Sequence, residues 1–184
     1  MRVGVNAIGL RPGYGGTADQ YVRNLLRTLS TAQSDLEFVV FTDADNDHLY
    51  RAWARVCLGV SAGGLERAVR RSGAELLFTP FETAPVDGGI PQVPFILGLH
   101  GFESQRGTWR RREPAPLRRA KQVCKNAKVI VTPSRFVQRS SLEILDVSLD
   151  RVVVAPPGAS EILDVPQDGI AAEPYILTVG DTHA

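Results

Sequence analysis

The sequence has few cysteines and no long apolar run. Its 184 residues include two cysteines, Cys57 and Cys124, without a metal-binding spacing, a CxxC motif or a disulfide framework; both are expected to be buried free thiols. The apolar run at 93–99 is far shorter than the roughly 20 residues that span a bilayer. The amino terminus is too short, and too polar at Asn6, for a signal peptide. These absences predict a soluble, cytoplasmic protein.

Two stretches are nearly without charge of one sign. Residues 28–50 contain five acids and no lysine or arginine, whereas residues 100–140 contain eleven bases against only Glu103 and Glu113. A solvated helix face explains this basic band. A field for phosphates, on a ligand or on an anionic membrane surface, explains it equally well. Few aromatic side chains are interleaved with the bases, so nucleic acid is not expected as a partner.

The apolar pattern alternates between strand-like and helix-like periods. Short apolar runs at 2–8, 37–42, 76–78, 93–99, 128–132 and 151–155 predict strands. Amphipathic patterns at 17–29, 114–127 and 134–146 predict helices, and weaker patterns at 47–56 and 65–72 predict one or two more. This alternation predicts an α/β fold: a Rossmann-like, open and mostly parallel sheet with helices on both faces.

The carboxyl-terminal part of the sequence suggests a domain boundary. Residues 1–158 form one predicted domain, and the Pro- and Gly-punctuated stretch 159–174 is interpreted as a linker. The β-rich run at 175–179 then predicts the first strand of a second, truncated domain. Because an unpaired apolar strand favours association, a homodimer through this strand is one hypothesis.

Ligands of such sheets bind beyond the carboxyl ends of the strands, and the first loop there is rich in glycine. Residues 9–16 precede a predicted helix, where backbone N–H groups can contact an anion, although a tight packing turn remains an alternative. Gly13, Gly15 and Ala18 satisfy the G-x-G-x-x-A dinucleotide fingerprint. Gly13 nevertheless follows the strand too late, and the nearest acid after the second strand, Asp43, comes too late as well.

Two further loops carry candidate site residues. His100 follows a predicted strand and precedes Gly101, a position suited to ligand contact and proton exchange, or to a purely structural histidine. Ser134 follows the strand at 128–132 and is predicted to cap the next helix. Arg135 beside it could add to a phosphate site, with simple solvent exposure as the alternative.

Four segments together resemble the amino-terminal domain of family 4 retaining glycosyltransferases of the GT-B type. They are GGTADQYVRNLL at 15–26, PFILGLHG at 94–101, AKVIVTPSR at 127–135 and RVVVAPPG at 151–158. PYILTVG at 174–180 resembles the start of the donor-binding domain of that family. The resemblance covers nearly the whole chain, and it depends on the order and spacing of the segments.

The resemblance implies transfer of a sugar from a nucleotide-sugar, UDP- or GDP-linked, to a sugar or lipid-linked acceptor, with retained configuration, no metal and no other cofactor. It places Gly15 and Gly16 near the donor diphosphate, His100 near the transferred sugar as the catalytic residue, and Ser134 and Arg135 in the same cleft. Tyr14 and Glu103 are assigned to the acceptor side. Such enzymes serve polysaccharide or glycolipid biosynthesis, and peripheral contact with an anionic inner membrane face would fit the basic band.

The sequence departs from the family where relatives often have His-Asp, because Gly101 follows His100 here; Glu103 is a candidate for the role of the missing acid. Without the donor-binding half of the cleft, the chain alone is expected to be inactive. Two other functions stay open: a non-catalytic anion-binding α/β module, and a Rossmann-type NAD-dependent oxidoreductase or epimerase.

Overall fold

The computed structural model describes residues 1–10, 17–32, 35–43, 46–57, 59–80, 89–99, 102 and 113–158. Their strands are β1 Arg2–Asn6, β2 Glu37–Phe41, β3 Arg55–Cys57, β4 Leu76–Pro80, β5 Gln92–Phe95, β6 Ile130–Thr132 and β7 Val152–Val154. Their α-helices are α1 Thr17–Thr31, α2 Leu65–Ser72, α3 Ala115–Asn126 and α4 Arg135–Leu145, and 3₁₀ turns lie at Asp47–Leu49, Ala62–Gly64 and Leu149–Arg151. Within these segments, no helix has both the length and the apolar character that crossing a membrane requires.

The strands form one parallel sheet with the spatial order β3-β2-β1-β4-β5-β6-β7. β1 is central, because Val5 pairs with Val40 of β2 on one side and with Phe78 of β4 on the other. Along the chain, β2 and β3 add to one side of β1. β4 then adds to its other side, and β5, β6 and β7 follow in that direction. This topology confirms the predicted α/β, Rossmann-like sheet, and the reversal marks the carboxyl edge as the place for a ligand.

One face of the sheet packs against α1. Val22 and Leu26 of this helix are fully buried against Val5 and Val40 of the sheet and Tyr50 of a following turn. The predicted 3.6-residue apolar stripe of the helix is therefore the surface that the sheet covers.

The opposite face carries the other three described helices. α2 packs through Leu65 and Val69 on the β1–β2–β4 part of the sheet. Gly4 permits this packing, since a Cβ at that position would lie 3.0 Å from the Phe41 ring. α3 and α4 pack on β5, β6 and β7 around Ile130, which is fully buried.

The structure corrects two expectations at the β3 edge. The helix predicted over 47–56 is wrong: only Asp47–Leu49 is helical, as a 3₁₀ turn, and β3 begins at Arg55. β3 has only three residues, which is too short to show the two-residue period of a strand. Its pairing with β2 overrides the local helix propensity. Cys57 was expected to be buried, but it is half-buried because β3 is an edge strand. Cys124 is buried as predicted, and burial raises the pKa of its thiol to about 12.

Arg151 joins the end of α3 to the start of β7. Its guanidinium donates to the backbone carbonyl oxygens of Cys124, Lys125 and Ala127 at the carboxyl end of that helix. These carbonyls have no partner within the helix, and a cation is favoured there by the helix dipole. Arg151 thus fixes the position of α3 relative to the last strand.

We expect Arg151→Met to lower the free energy of unfolding by about 2 kcal/mol, because charge-assisted hydrogen bonds to otherwise orphaned carbonyls are lost. Arg139→Met, at an exposed position of α4, is the matched control and should change stability by less than about 0.5 kcal/mol. Urea unfolding followed by circular dichroism measures both. Equal stability of the two variants would contradict the capping role.

Candidate functional site

A cleft of about 540 Å³ opens where β5, β6 and β7 end. One wall is the flank of α1, and the other comes from residues that directly follow the three strands. The lining residues are Gln20, Tyr21, Asn24, Leu25, Arg27 and Thr28 from α1, with Leu97, Pro133, Pro156, Pro157 and Gly158 opposite. The cleft therefore lies at the carboxyl edge, as the topology predicts.

Tyr21 anchors the α1 wall of the cleft to the sheet. Its ring stacks on the fully buried Phe95 of β5, with ring centroids 4.0 Å apart and an interplanar angle of 19°. Burial raises the pKa of the Tyr21 hydroxyl, so the phenol stays protonated. Gln20 and Asn24 add neutral polar groups, and Arg27 is the one charged side chain among the described lining residues. An apolar surface with a few neutral hydrogen-bonding groups suits a polar organic ligand.

The cleft exists because the helices after β5 pack on the opposite face. Val152 of β7 points to that face and is buried by α4, whereas its neighbour Val153 points to the α1 side and is 50% exposed. α1 itself packs on the strands from β2 to β5. Within the described segments, no helix covers the α1 side of β7.

The chain that leaves β1 toward the glycine loop is held by three side chains. Asn6 is buried, and its Oδ1 accepts from the N–H of Ile8 at 3.2 Å. Asp43 Oδ2 accepts from the N–H of Gly9 at 2.7 Å, and Gly9 has a φ of 79°, which favours glycine. Asn46 Nδ2 donates to the carbonyl of Leu10 at 3.2 Å. These anchors were not predicted from the sequence, in which Asp43 is only an acid too distant for a dinucleotide site.

The other end of the glycine loop is held by a buried polar network at the start of α1. Asp19 is 2% exposed; its Oδ1 accepts from the Tyr50 hydroxyl at 3.3 Å, and its Oδ2 pairs with Arg23 at 2.9 Å. The only sequence signal for this network was an acid in the first turn of a helix. Together with the Asn6, Asp43 and Asn46 contacts, the network fixes both points between which residues 11–16 run.

Five of the predicted site residues, Tyr14, Gly15, Gly16, His100 and Glu103, lie outside the described residues. Their described neighbours lie at the carboxyl edge: α1 begins directly after Gly16. Leu99 and Phe102 flank His100 and Gly101 in the sequence, and the N–H of Phe102 donates to the carbonyl of Leu99 at 2.8 Å. The proximity of His100 to the two glycines stays a prediction, and so do the linker at 159–174 and the strand at 175–179.

Ser134 and Arg135 are described, and the structure separates their roles. Ser134 caps α4 as predicted, with its Oγ accepting from the N–H of Val137 at 3.2 Å. Arg135 is exposed at the first helical residue. Neither residue lines the cleft, whereas the adjacent Pro133 does. Arg135 thus follows a lining residue, Pro133, by two positions, and its place in the cleft stays a prediction.

Part of the basic band is also described. Arg118 and Arg119 of α3 are exposed, while Arg106, Arg110, Arg111 and Arg112 lie outside the described residues. The described segments contain no group of three or more His, Cys, Asp or Glu side chains that could hold a metal ion.

The family described as Glycosyltransferase Family 4 matches the chain over residues 14–161. This range includes the last three residues of the glycine loop, the cleft wall on α1 and all three strand ends that close the cleft. No curated protein sequence matches the chain.

Several solved structures share the fold at low sequence identity. Sucrose-phosphate synthase from Thermosynechococcus elongatus is similar with a TM-score of 0.65 and 14% identity, over 91% of this chain and 53% of that one. UDP-GlcNAc 2-epimerase from Neisseria meningitidis, bound to UDP-GlcNAc, is similar with a TM-score of 0.55 and 11% identity, over 85% of this chain and 47% of that one. The lipopolysaccharide outer core galactosyltransferase WaaB is similar with a TM-score of 0.52 and 12% identity, over 84% of this chain and 45% of that one. The chain spans about half the length of each.

We expect the Tyr50–Asp19 contact to make stability fall at alkaline pH. Burial, and next the negative charge of Asp19, raise the pKa of Tyr50 well above its ordinary value of 10.0. The unfolded state therefore releases this proton first: the stabilisation is complete below pH 10 and is lost as pH rises from there toward the folded-state pKa, at up to about 1.4 kcal/mol per pH unit.

Tyr50→Phe removes this titration and, at pH 8, should cost about 1–2 kcal/mol for the lost hydrogen bond to a carboxylate. Urea unfolding of both proteins at pH 8, 9, 10 and 11 measures the two effects. A parallel decline of stability with pH in the two proteins would show that Tyr50 does not carry the dependence.

Proposed function

We propose that this chain, which belongs to Glycosyltransferase Family 4, forms the acceptor-side domain of an enzyme that transfers a sugar from a nucleotide-sugar to an acceptor with retained configuration. The family match over residues 14–161 carries the proposal. It is supported by a cleft at the carboxyl edge of a Rossmann-like sheet. The chain also spans about half the length of similar glycosyltransferase structures, which fits one domain of two.

In this proposal the glycine loop and the start of α1 stabilise the leaving diphosphate. Negative charge grows on the phosphates as the sugar–oxygen bond breaks, so pre-positioned N–H groups lower the barrier. Gly15 and Gly16 are proposed as donors because glycine has no Cβ to screen its N–H group, and the dipole of α1 favours an anion at the start of that helix. The anchors at Gly9 and Asp19 reduce the reorganisation that such a loop would need.

His100 is the proposed catalytic residue, and Arg135 the proposed additional cation. A histidine at a strand end can hydrogen-bond a sugar hydroxyl or exchange a proton near neutral pH. Arg135, exposed at the first residue of α4, can approach a phosphate brought by a second domain. Tyr14 and Glu103 are proposed to contact the acceptor, and Ser134 to act chiefly by capping α4.

The organisation proposed for the whole protein follows from the same reasoning. Residues 1–158 form the acceptor-side domain, 159–174 the linker and 175–184 the beginning of the donor-binding domain. In this proposal the nucleotide-sugar binds between two domains, so residues 1–158 supply only one wall of the site. Peripheral contact of the basic band with an anionic membrane is proposed for the case of a lipid-linked acceptor.

The nicotinamide alternative has weaker support than glycosyl transfer. A dinucleotide site of this type needs a free carboxylate after the second strand to bind the ribose hydroxyls. The carboxylate at that place, Asp43, instead accepts the N–H of Gly9 at 2.7 Å. One oxygen of this carboxylate is thus already engaged by the loop of its own chain.

We expect His100→Ala to lower turnover of the nucleotide-sugar by about 100-fold, because a positioned proton-transfer or hydrogen-bonding group is lost. His48→Ala, at an exposed position in the 3₁₀ turn Asp47–Leu49, is the matched control and should leave turnover unchanged. The protein encoded by the full reading frame is incubated with UDP- and GDP-linked sugars. Release of nucleoside diphosphate is measured, and donor hydrolysis serves as the readout before an acceptor is known.

The configuration of the first-formed product, followed by proton NMR, tests retention. An inverted product would overturn the retaining assignment while leaving glycosyl transfer intact. Absence of turnover with every donor would favour the non-catalytic anion-binding module. Equal turnover in the His100 and His48 variants would remove His100 from the chemistry.

A further inference from the structure

A second groove, of about 580 Å³, lies at the opposite edge of the sheet. It runs between the edge strand β3, the segment 59–64 and α2. Its chemically distinctive lining residues are Arg55, Arg67, Arg71, Cys57 and Ser61. Five strand spacings of about 4.8 Å separate β3 from β6, so the groove lies roughly 24 Å from the cleft at the strand ends.

The groove collects positive charge, and the nearby Glu37, which also lies within the electrostatic reach of Arg55, is ion-paired with Arg2 at 2.8 Å. Three arginines line it, and none of its described lining residues is acidic. On the same helix, Arg70 is ion-paired with Glu66 at 2.7 Å. Arg67 and Arg71 form no ion pair within the described segments, although they stand four residues apart, where like charges destabilise a helix. The helix therefore keeps two repelling cations on its groove side and pairs the third elsewhere.

The other groups in the groove suit an oxyanion. Arg55 donates one Nη2 hydrogen bond to the carbonyl of Ser72 at 3.2 Å, which steadies its guanidinium beside the groove. Ser61 precedes the 3₁₀ turn Ala62–Gly64, and its hydroxyl makes no capping hydrogen bond there. The forked donors of arginine match the oxygens of a phosphate, and a serine hydroxyl can add a further donor.

We propose that this groove binds a phosphate group through Arg55, Arg67 and Arg71, with the Ser61 hydroxyl as an additional donor. The ligand is a phosphomonoester, either a soluble molecule or the headgroup of an anionic lipid. The site is separate from the glycosyl-transfer cleft, and it does not depend on the function proposed for that cleft.

Inorganic phosphate is the first probe, with the 184-residue chain labelled with ¹⁵N. The amide signals of Gly59 and Ser61 should shift saturably with phosphate at constant ionic strength, and not with chloride. Arg67→Ala/Arg71→Ala should weaken this binding at least about tenfold, because two charge-assisted contacts are lost. The matched control Arg118→Ala/Arg139→Ala removes the same charge from exposed helix positions elsewhere and should bind like the wild type.

Thermal unfolding confirms that both double variants are folded before binding is compared. Sedimentation with phosphatidic acid vesicles and with phosphatidylcholine vesicles then distinguishes the sources. Binding to phosphatidic acid vesicles that is lost in Arg67→Ala/Arg71→Ala and kept in Arg118→Ala/Arg139→Ala supports a lipid headgroup as the ligand. Binding of inorganic phosphate without binding to vesicles supports a soluble phosphomonoester. Equal shifts in phosphate and chloride, or equal loss in the two double variants, would overturn the proposal.

Discussion

The parallel pairing of β1 with both β2 and β4 is the constraint on which the rest of the structure depends. Val5 is paired on both sides, so the chain must leave β1 in one direction and return past it to continue in the other. That reversal puts α1 on one face and α2, α3 and α4 on the other. It also brings the strand ends that carry the candidate site to a single edge.

The packing of these helices decides where a ligand can enter. Because α3 and α4 cover only one face of β6 and β7, the α1 side of these strands contributes to a cleft instead of a core. The contacts of Asn6, Asp43 and Asp19 then fix the backbone on both sides of the glycine loop. Stability and candidate function are thus coupled, since the groups that anchor the first helix also position the segment proposed to meet the diphosphate.

Much of the fold could be predicted from local signals. The apolar stripe of α1, the cap at Ser134 and the β-rich runs each reflect a period or a residue type that acts over a few positions. β3 could not be predicted, because three residues show no period and its strand state comes from pairing with β2. The anchors of the glycine loop were missed for a related reason: Asp43 and Gly9 are 34 residues apart in sequence and meet only because β1 and β2 are neighbours.

The α/β class, the order of the main elements and the family resemblance follow from the amino-acid sequence alone, because periodicity, caps and motif spacing are local properties of the chain. Long-range packing is needed to establish which acids are structural, which arginines converge and where the cavities lie. Asp19 became a buried ion-pair partner, and Arg67 and Arg71 became the wall of a basic groove. These outcomes depend on which distant strands become neighbours, a long-range property that no local pattern encodes.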